Sequence, residues 1–422
     1  MKRIERLSLL LMAGGLGFAW MVQYLFFLLD LPDWIYRFYM LGISIPAALF
    51  GSFAYPKYGG FTKGAPLAFV ALLATGLAWT DATEYKRGLS VAISFAMTLP
   101  ISALIRKHYY LKPAIWAFGS GTAASMLLAM TQPMVPGRWG TLIYDVILLS
   151  NPAGVGLHCA TAVALMVLAL LRLAPSRKLR SLQVGLILFL LMCCVLTASR
   201  TAFLALVGAS CVALLLQARR KFLTVTVALV AVLLVVGTAM AATAVFSDRP
   251  FYDQLIERTV GDKNETLLTF GGRTDIWYFG SDQFLQGTNW MVGFGTGGVD
   301  KTLGQFSDID CRELDPDGIW RLYAHNTFVW CGLGLGALGL MVGGWLTLSL
   351  ARSAYRLDKM ENGYMRCSLV AFLILFGTGA VVHVESYWIL LGSVLWAMMS
   401  SASAGPAQVP IAQSFDTRKS RA

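Results

Sequence analysis

Tyr323-Ala324-His325-Asn326-Thr327-Phe328-Val329-Trp330-Cys331-Gly332-Leu333-Gly334-Leu335-Gly336-Ala337-Leu338-Gly339-Leu340-Met341-Val342-Gly343-Gly344-Trp345-Leu346-Thr347-Leu348-Ser349-Leu350 contains no acid, lysine or arginine. A helix of that length crosses roughly 30 Å of hydrocarbon with residues to spare. The run therefore predicts a membrane span, and its one ionisable group near neutral pH is His325, close to one end. A histidine at the junction of a polar loop and an apolar helix is either a helix-capping or buried polar residue, or a proton-transfer group at a membrane surface.

Working outward, the same pattern recurs along the 422-residue chain. Hydrophobic residues make up 57% of it and charged residues 14%, well below the roughly 25% charged content of a soluble domain, and the mean hydropathy is +0.63. About twelve apolar runs predict spans near 7–29, 38–54, 65–80, 89–105, 113–131, 152–172, 181–198, 201–218, 222–246, 323–350, 367–382 and 386–402. Met1-Lys2-Arg3-Ile4-Glu5-Arg6 leads into a long run with no small-residue cleavage site, so it reads as a retained first span. The expected fold is an all-α polytopic membrane protein with one large, partly helical exterior loop.

Charge orients it. Lysine and arginine favour cytoplasmic loops, and with the N-terminus inside, Lys2, Arg3, Arg6, Lys57, Lys63, Arg106, Lys107, Lys112, Arg177, Lys178, Arg180, Arg219, Arg220 and Lys221 all fall there. Of the 23 acidic residues only Glu5, Asp358, Glu361 and Asp416 join them. The net charge of +11 thus reports membrane orientation and contact with anionic lipid, not nucleic-acid binding. The chain divides into nine spans over 1–246, a periplasmic-type exterior loop over 247–322, three spans over 323–402 and a cytoplasmic tail over 403–422. Of seven cysteines only Cys311 lies in an exterior loop, where one thiol makes no intramolecular disulfide.

The loop of 76 residues is long enough to carry function. Arg249 to Val260 and Thr274 to Gln286 read as helical. In the second, Ile276, Trp277, Phe279 and Phe284 share an arc of about 160°, with Tyr278 and Leu285 off it. That face packs on the membrane domain or meets lipid or substrate.

Charges at span ends come next. Arg200, in Thr197-Ala198-Ser199-Arg200-Thr201-Ala202-Phe203, occupies a tight turn between two apolar runs. It either snorkels to headgroups or, being an exterior arginine against the usual bias, pairs with phosphate oxygens. Arg273 follows Phe270-Gly271-Gly272 and opens a helix, where a guanidinium and free amides suit an anion. Gly293-Phe294-Gly295-Thr296-Gly297-Gly298 lacks the lysine of a phosphate loop and reads as a flexible turn. The cluster Asp308, Asp310, Glu313, Asp315, Asp317 holds two Asp-x-Asp patterns, read as solvated acidic surface ahead of a metal site. His158 is expected to be buried and hydrogen-bonded, His108 solvated, and His383, with Glu385, near the exterior end of the penultimate span.

Taken in order, Ser199-Arg200-Thr201-Ala202, Gly271-Gly272-Arg273 with Trp277, Val292-Gly293-Phe294-Gly295-Thr296-Gly297, and His325-Asn326 before a glycine-rich helix resemble the O-antigen ligase family, which also includes O-antigen polymerases and bacterial protein O-oligosaccharyltransferases. The resemblance implies a GT-C-like glycosyltransferase of the bacterial inner membrane, with both termini cytoplasmic and its site facing the periplasm. It implies an undecaprenyl diphosphate-linked glycan donor, a lipid A-core acceptor and no cofactor or metal. His325 is then the expected general base, Arg200 and Arg273 the diphosphate ligands, and Asn326 and His383 further substrate-binding residues. A multi-span exporter or flippase is the competing reading; its unusual residues are expected at the bilayer midplane, not at one boundary.

Overall fold

The computed structural model describes residues 1–19, 21–22, 33–130, 134–136, 142–144, 152–172, 177–196, 200–217, 273–286, 289–305, 313–314, 318–361, 365–377 and 388–400. It is a helical membrane protein. In chain order the helices are α1 Lys2–Gly17, α2 Asp33–Tyr58, α3 Ala65–Gly76, α4 Tyr85–His108, α5 Leu111–Ala129, α6 Pro152–Arg172, α7 Arg177–Leu196, α8 Arg200–Gln217, α9 Arg273–Gln286, α10 Val299–Gly304, α11 Thr327–Glu361, α12 Met365–Gly377 and α13 Ser393–Ser400. Two small antiparallel pairs join Met134–Pro136 to Leu142–Tyr144 and Glu313–Leu314 to Trp320–Arg321. The expected span 222–246, the loop helix Arg249–Val260 and the tail lie outside the described residues.

The outer surface is apolar where a soluble protein would be charged. Leu11, Leu49, Phe53, Leu204, Met341 and Leu348 are all exposed, a pattern that fits hydrocarbon as the surrounding solvent. Among the described residues, three helical stretches are long and apolar enough to cross a membrane: Phe38–Tyr58, Tyr85–His108 and Thr327–Lys359, the last broken at Gly336. α4 is the central one, with 78% of its most apolar window buried against 33% for the other two. Its hydroxyls are satisfied within the helix: Ser94, Thr98 and Ser102 donate to the carbonyls of Ser90, Phe95 and Leu99.

Small residues set the helix contacts, as expected where lipid offers no hydrophobic drive to associate. A side chain at Gly51 would overlap the Pro100 carbonyl, one at Gly17 the Phe118 carbonyl and one at Gly208 the Leu375 side chain. Polar groups then separate to the two ends of α4, about 36 Å apart at 1.5 Å per residue. At one end Glu5 pairs with Lys107 at 2.9 Å and with His108. At the other stand Glu84, Arg87, Asp300, Arg321 and Tyr323.

His108 is therefore not solvated, contrary to expectation. It is buried because the α4 C-terminus docks against α1, and Glu5 supplies its hydrogen-bonding partner.

The run quoted at the outset is likewise not one straight span. Gly336 has φ 66 and ψ −158, and the chain doubles back there. A side-chain carbon at Gly343 would stand 3.8 Å from the Cys331 sulfur, and one at Gly332 would stand 3.5 Å from Leu340. In a continuous helix twelve residues separate by about 18 Å. Thr327–Leu335 is thus a short re-entrant helix folded against Ala337–Glu361.

Broken helices at membrane depth need other partners for the freed backbone groups, and Trp290–Gly295 supplies them. Phe294 and Gly295 amides donate to the Leu333 and Gly334 carbonyls at 2.7 and 2.9 Å, and the Ala337 amide donates to Trp290 at 2.8 Å. Gly293-Phe294-Gly295-Thr296-Gly297-Gly298 is accordingly a packed strap, not a flexible turn. Gly293 and Gly295 adopt φ 71 and 88, and their missing side chains make room for Gly334 and Thr80.

Candidate functional site

His325 sits at the entrance to the re-entrant helix with φ 47, one of two non-glycine residues with positive φ among the described residues. That conformation costs on the order of 1–2 kcal/mol and persists only where neighbours impose it. They do. The Trp277 indole donates to the Ala324 carbonyl at 2.9 Å, and the Leu322 amide donates to the Asp300 carbonyl at 3.0 Å.

Immediately after, Asn326 caps the helix. Its Oδ1 accepts from the Phe328 and Val329 amides at 2.9 and 3.3 Å, satisfying donors that the first turn leaves open. The histidine is thus fixed beside the positive end of a short helix dipole.

Beside this turn lies a small, partly open apolar cavity of about 80 Å³. Phe69, Phe95, Phe328, Cys331, Leu346 and Leu350 line it, with Thr327 and Gly377 at its His325 side. The Thr327 hydroxyl oxygen is buried with no hydrogen-bond partner among the described residues.

On the other flank of His325 is a charged network that the sequence reading passed over. The Arg87 guanidinium pairs with Asp300 at 3.1 Å, donates to the Tyr323 hydroxyl at 3.3 Å and lies over its ring at 5.4 Å. Tyr323 meets His325 edge to face, 6.2 Å between ring centroids. Arg321 pairs with the buried Glu84. Further out, Lys301 donates to Asp81 at 2.7 Å, and that bond with those from Thr83 holds the Asp81 carboxyl down at about 2.

The loop helix is α9, and the structure buries Ile276 while leaving Tyr278 and Leu285 exposed. Trp277, Phe279 and Phe284 pack on the core. The apolar arc faces the membrane domain.

Of the expected site residues, His325 and Asn326 form one turn. Arg200 is the first residue of α8 and Arg273 the first of α9; their side chains lie outside the described residues. So do His383, Asp308, Asp310, Asp315 and Asp317, and of Glu313 the backbone alone is described. Among the described residues no group of three acids, histidines or cysteines is arranged for a metal. His158 is buried, with its Nε2 3.1 Å from the Gly17 carbonyl.

A helical membrane protein whose glycine-strapped re-entrant helix presents His-Asn beside an apolar cavity is the class that these features define. Residues 184–342 match a family model described as O-antigen ligase. No curated protein matches the chain. The match contains Arg200, Arg273, His325 and Asn326, while Glu84, Arg87 and His383 lie outside it.

Proposed function

We propose that the protein is an O-antigen ligase, moving a glycan from undecaprenyl diphosphate to a sugar hydroxyl of lipid A-core in lipopolysaccharide biosynthesis. The reaction takes place at the periplasmic face of the inner membrane, where twelve spans and the exterior loop 247–322 would hold the site. The observation that carries the reading is the His325–Asn326 turn: a strained, capped histidine inside the family-matched stretch, beside an apolar cavity.

His325 takes the proton from the acceptor hydroxyl as that oxygen bonds to the anomeric carbon. The bond from that carbon to the diphosphate oxygen breaks, and the diphosphate leaves with the electron pair. Arg200 and Arg273 receive the charge that develops there. A single displacement inverts the anomeric configuration and calls for no metal. The apolar cavity offers the isoprenoid chain a wall of its own polarity. Asn326 keeps the base-bearing turn in place, and His383 contributes to substrate binding.

The test is transfer by purified protein from lipid-linked donor to lipid A-core. Loss of transfer in His325→Ala with donor binding retained supports the base role, and near-normal transfer sinks it. A product in which the glycan is added to another lipid-linked glycan, or to a protein, would replace the ligase by the polymerase or oligosaccharyltransferase reading.

A further inference from the structure

Arg321 ends the short strand Trp320–Arg321, and Tyr323 follows it into the left-handed turn at His325. Both side chains meet the start of one helix: Arg321 pairs with Glu84, the residue before α4, and Tyr323 stacks on and accepts from Arg87 in its first turn. Arg87 also reaches Asp300 on α10, whose backbone carbonyl holds Leu322 between the two grips. Both Asp300 and Glu84 are almost fully buried, so these pairs lie where truncating one partner is most damaging. Tyr323 is the last link, its ring against the imidazole of His325.

We propose that Arg87 is a positioning residue for His325, acting through Tyr323, and that Glu84 with Arg321 is the second grip of the same clamp. It belongs to a helix outside the stretch that matches the ligase family. The catalytic consequence rests on the base role of His325 given above; the clamp itself does not. In this arrangement the clamp holds the imidazole at a fixed height against the acceptor.

The experiment compares Tyr323→Phe, Arg87→Lys and Arg87→Gln in the purified full-length protein. The readouts are kcat and KM for transfer, and amide exchange over residues 320–327. Tyr323→Phe retains the ring and the fold and loses only the hydroxyl. It should lower kcat, with KM for donor unchanged. Arg87→Gln should lower kcat roughly ten- to hundredfold, as expected for a misplaced catalytic group. It should also speed exchange at Leu322. Arg87→Lys, which retains the charge that pairs with Asp300, should recover part of the rate.

Unchanged kcat and exchange in Tyr323→Phe and Arg87→Gln would overturn the clamp. So would equal damage in Arg87→Lys and Arg87→Gln with kcat and KM changed alike, which is the signature of a purely structural ion pair. If His325→Ala is inactive while these variants behave as wild type, the clamp fails and the ligase reading stands. If exchange rises in Arg87→Gln while His325→Ala remains active, the clamp stands and the base role fails.

Discussion

Cys331 and Gly343 are neighbours across a helical hairpin: a side-chain carbon on Gly343 would lie 3.8 Å from the Cys331 sulfur, although twelve residues separate them. The turn at Gly336 creates this pairing, and with it the floor of the cavity next to His325.

Gly343 lines that cavity, and a Cβ there would meet its nearest neighbour at ordinary van der Waals distance. Gly343→Leu should raise KM for lipid-linked donor roughly tenfold, the value of about 1.4 kcal/mol of lost chain burial. Thermal stability in detergent should change little. A donor titration checks it, and an unaltered KM would remove the cavity from the donor site.

Gly336→Ala should be severe. Its φ of 66 disfavours any side chain, and a Cβ would collide with the Met291 carbonyl and the Val292 amide. A loss of about 2–4 kcal/mol is expected from strain and overpacking together, read as a lowered unfolding temperature of the purified protein.

His325→Gly separates stability from function. Glycine relieves the left-handed conformation and should stabilise the fold by up to about 1 kcal/mol, while transfer is abolished. Asn326→Ala should do the reverse to stability, costing about 0.5–2 kcal/mol through the lost cap, with Asn326→Ser losing less. Thermal denaturation of the three variants orders them, and an unstable His325→Gly would refute the strain argument.

At the far end of α4, the hydrogen bond from Lys107 is the chief reason that the Glu5 carboxyl is held below its ordinary range, with His108 adding to it against the opposing effect of burial. A carboxylate with a lowered folded-state pKa stabilises the protein above its ordinary titration range, and that contribution is lost as pH falls through the lowered value. The wild type should therefore lose thermal stability as pH falls below about 4.5, and Glu5→Gln should be less stable at neutral pH with a flatter acid dependence. A parallel pair of curves would count against it.

Helicity and membrane character were legible in the sequence for a simple reason. A segment such as Tyr85–His108 must satisfy its own backbone in hydrocarbon, so its apolar length alone announces it. The α9 face was legible through the spacing of Ile276, Trp277, Phe279 and Phe284. Gly336 was not, because Gly332, Gly334, Gly336 and Gly339 look alike in sequence, and only their packing reveals which one carries the reversal. His325 and Asn326 stood out as polar residues against an apolar run. Glu84 and Arg87 did not, because charges at a span end are ordinary, and their partners Arg321 and Asp300 lie more than 200 positions away. His108 was misread for the same reason, since Glu5 is distant in sequence and adjacent in space.

The glycine strap also bears on modularity. The family-matched stretch begins at residue 184, yet within it the Thr296 amide and hydroxyl are bonded to the carbonyls of Gly76 and Leu73, and Gly297 lies against Glu84 and Gly88. A fragment beginning at 184 would leave those donors without their acceptors. The N-terminal helices are the mould in which the His325 helix is cast, so transplanting the matched stretch between proteins requires carrying residues 73–88 with it.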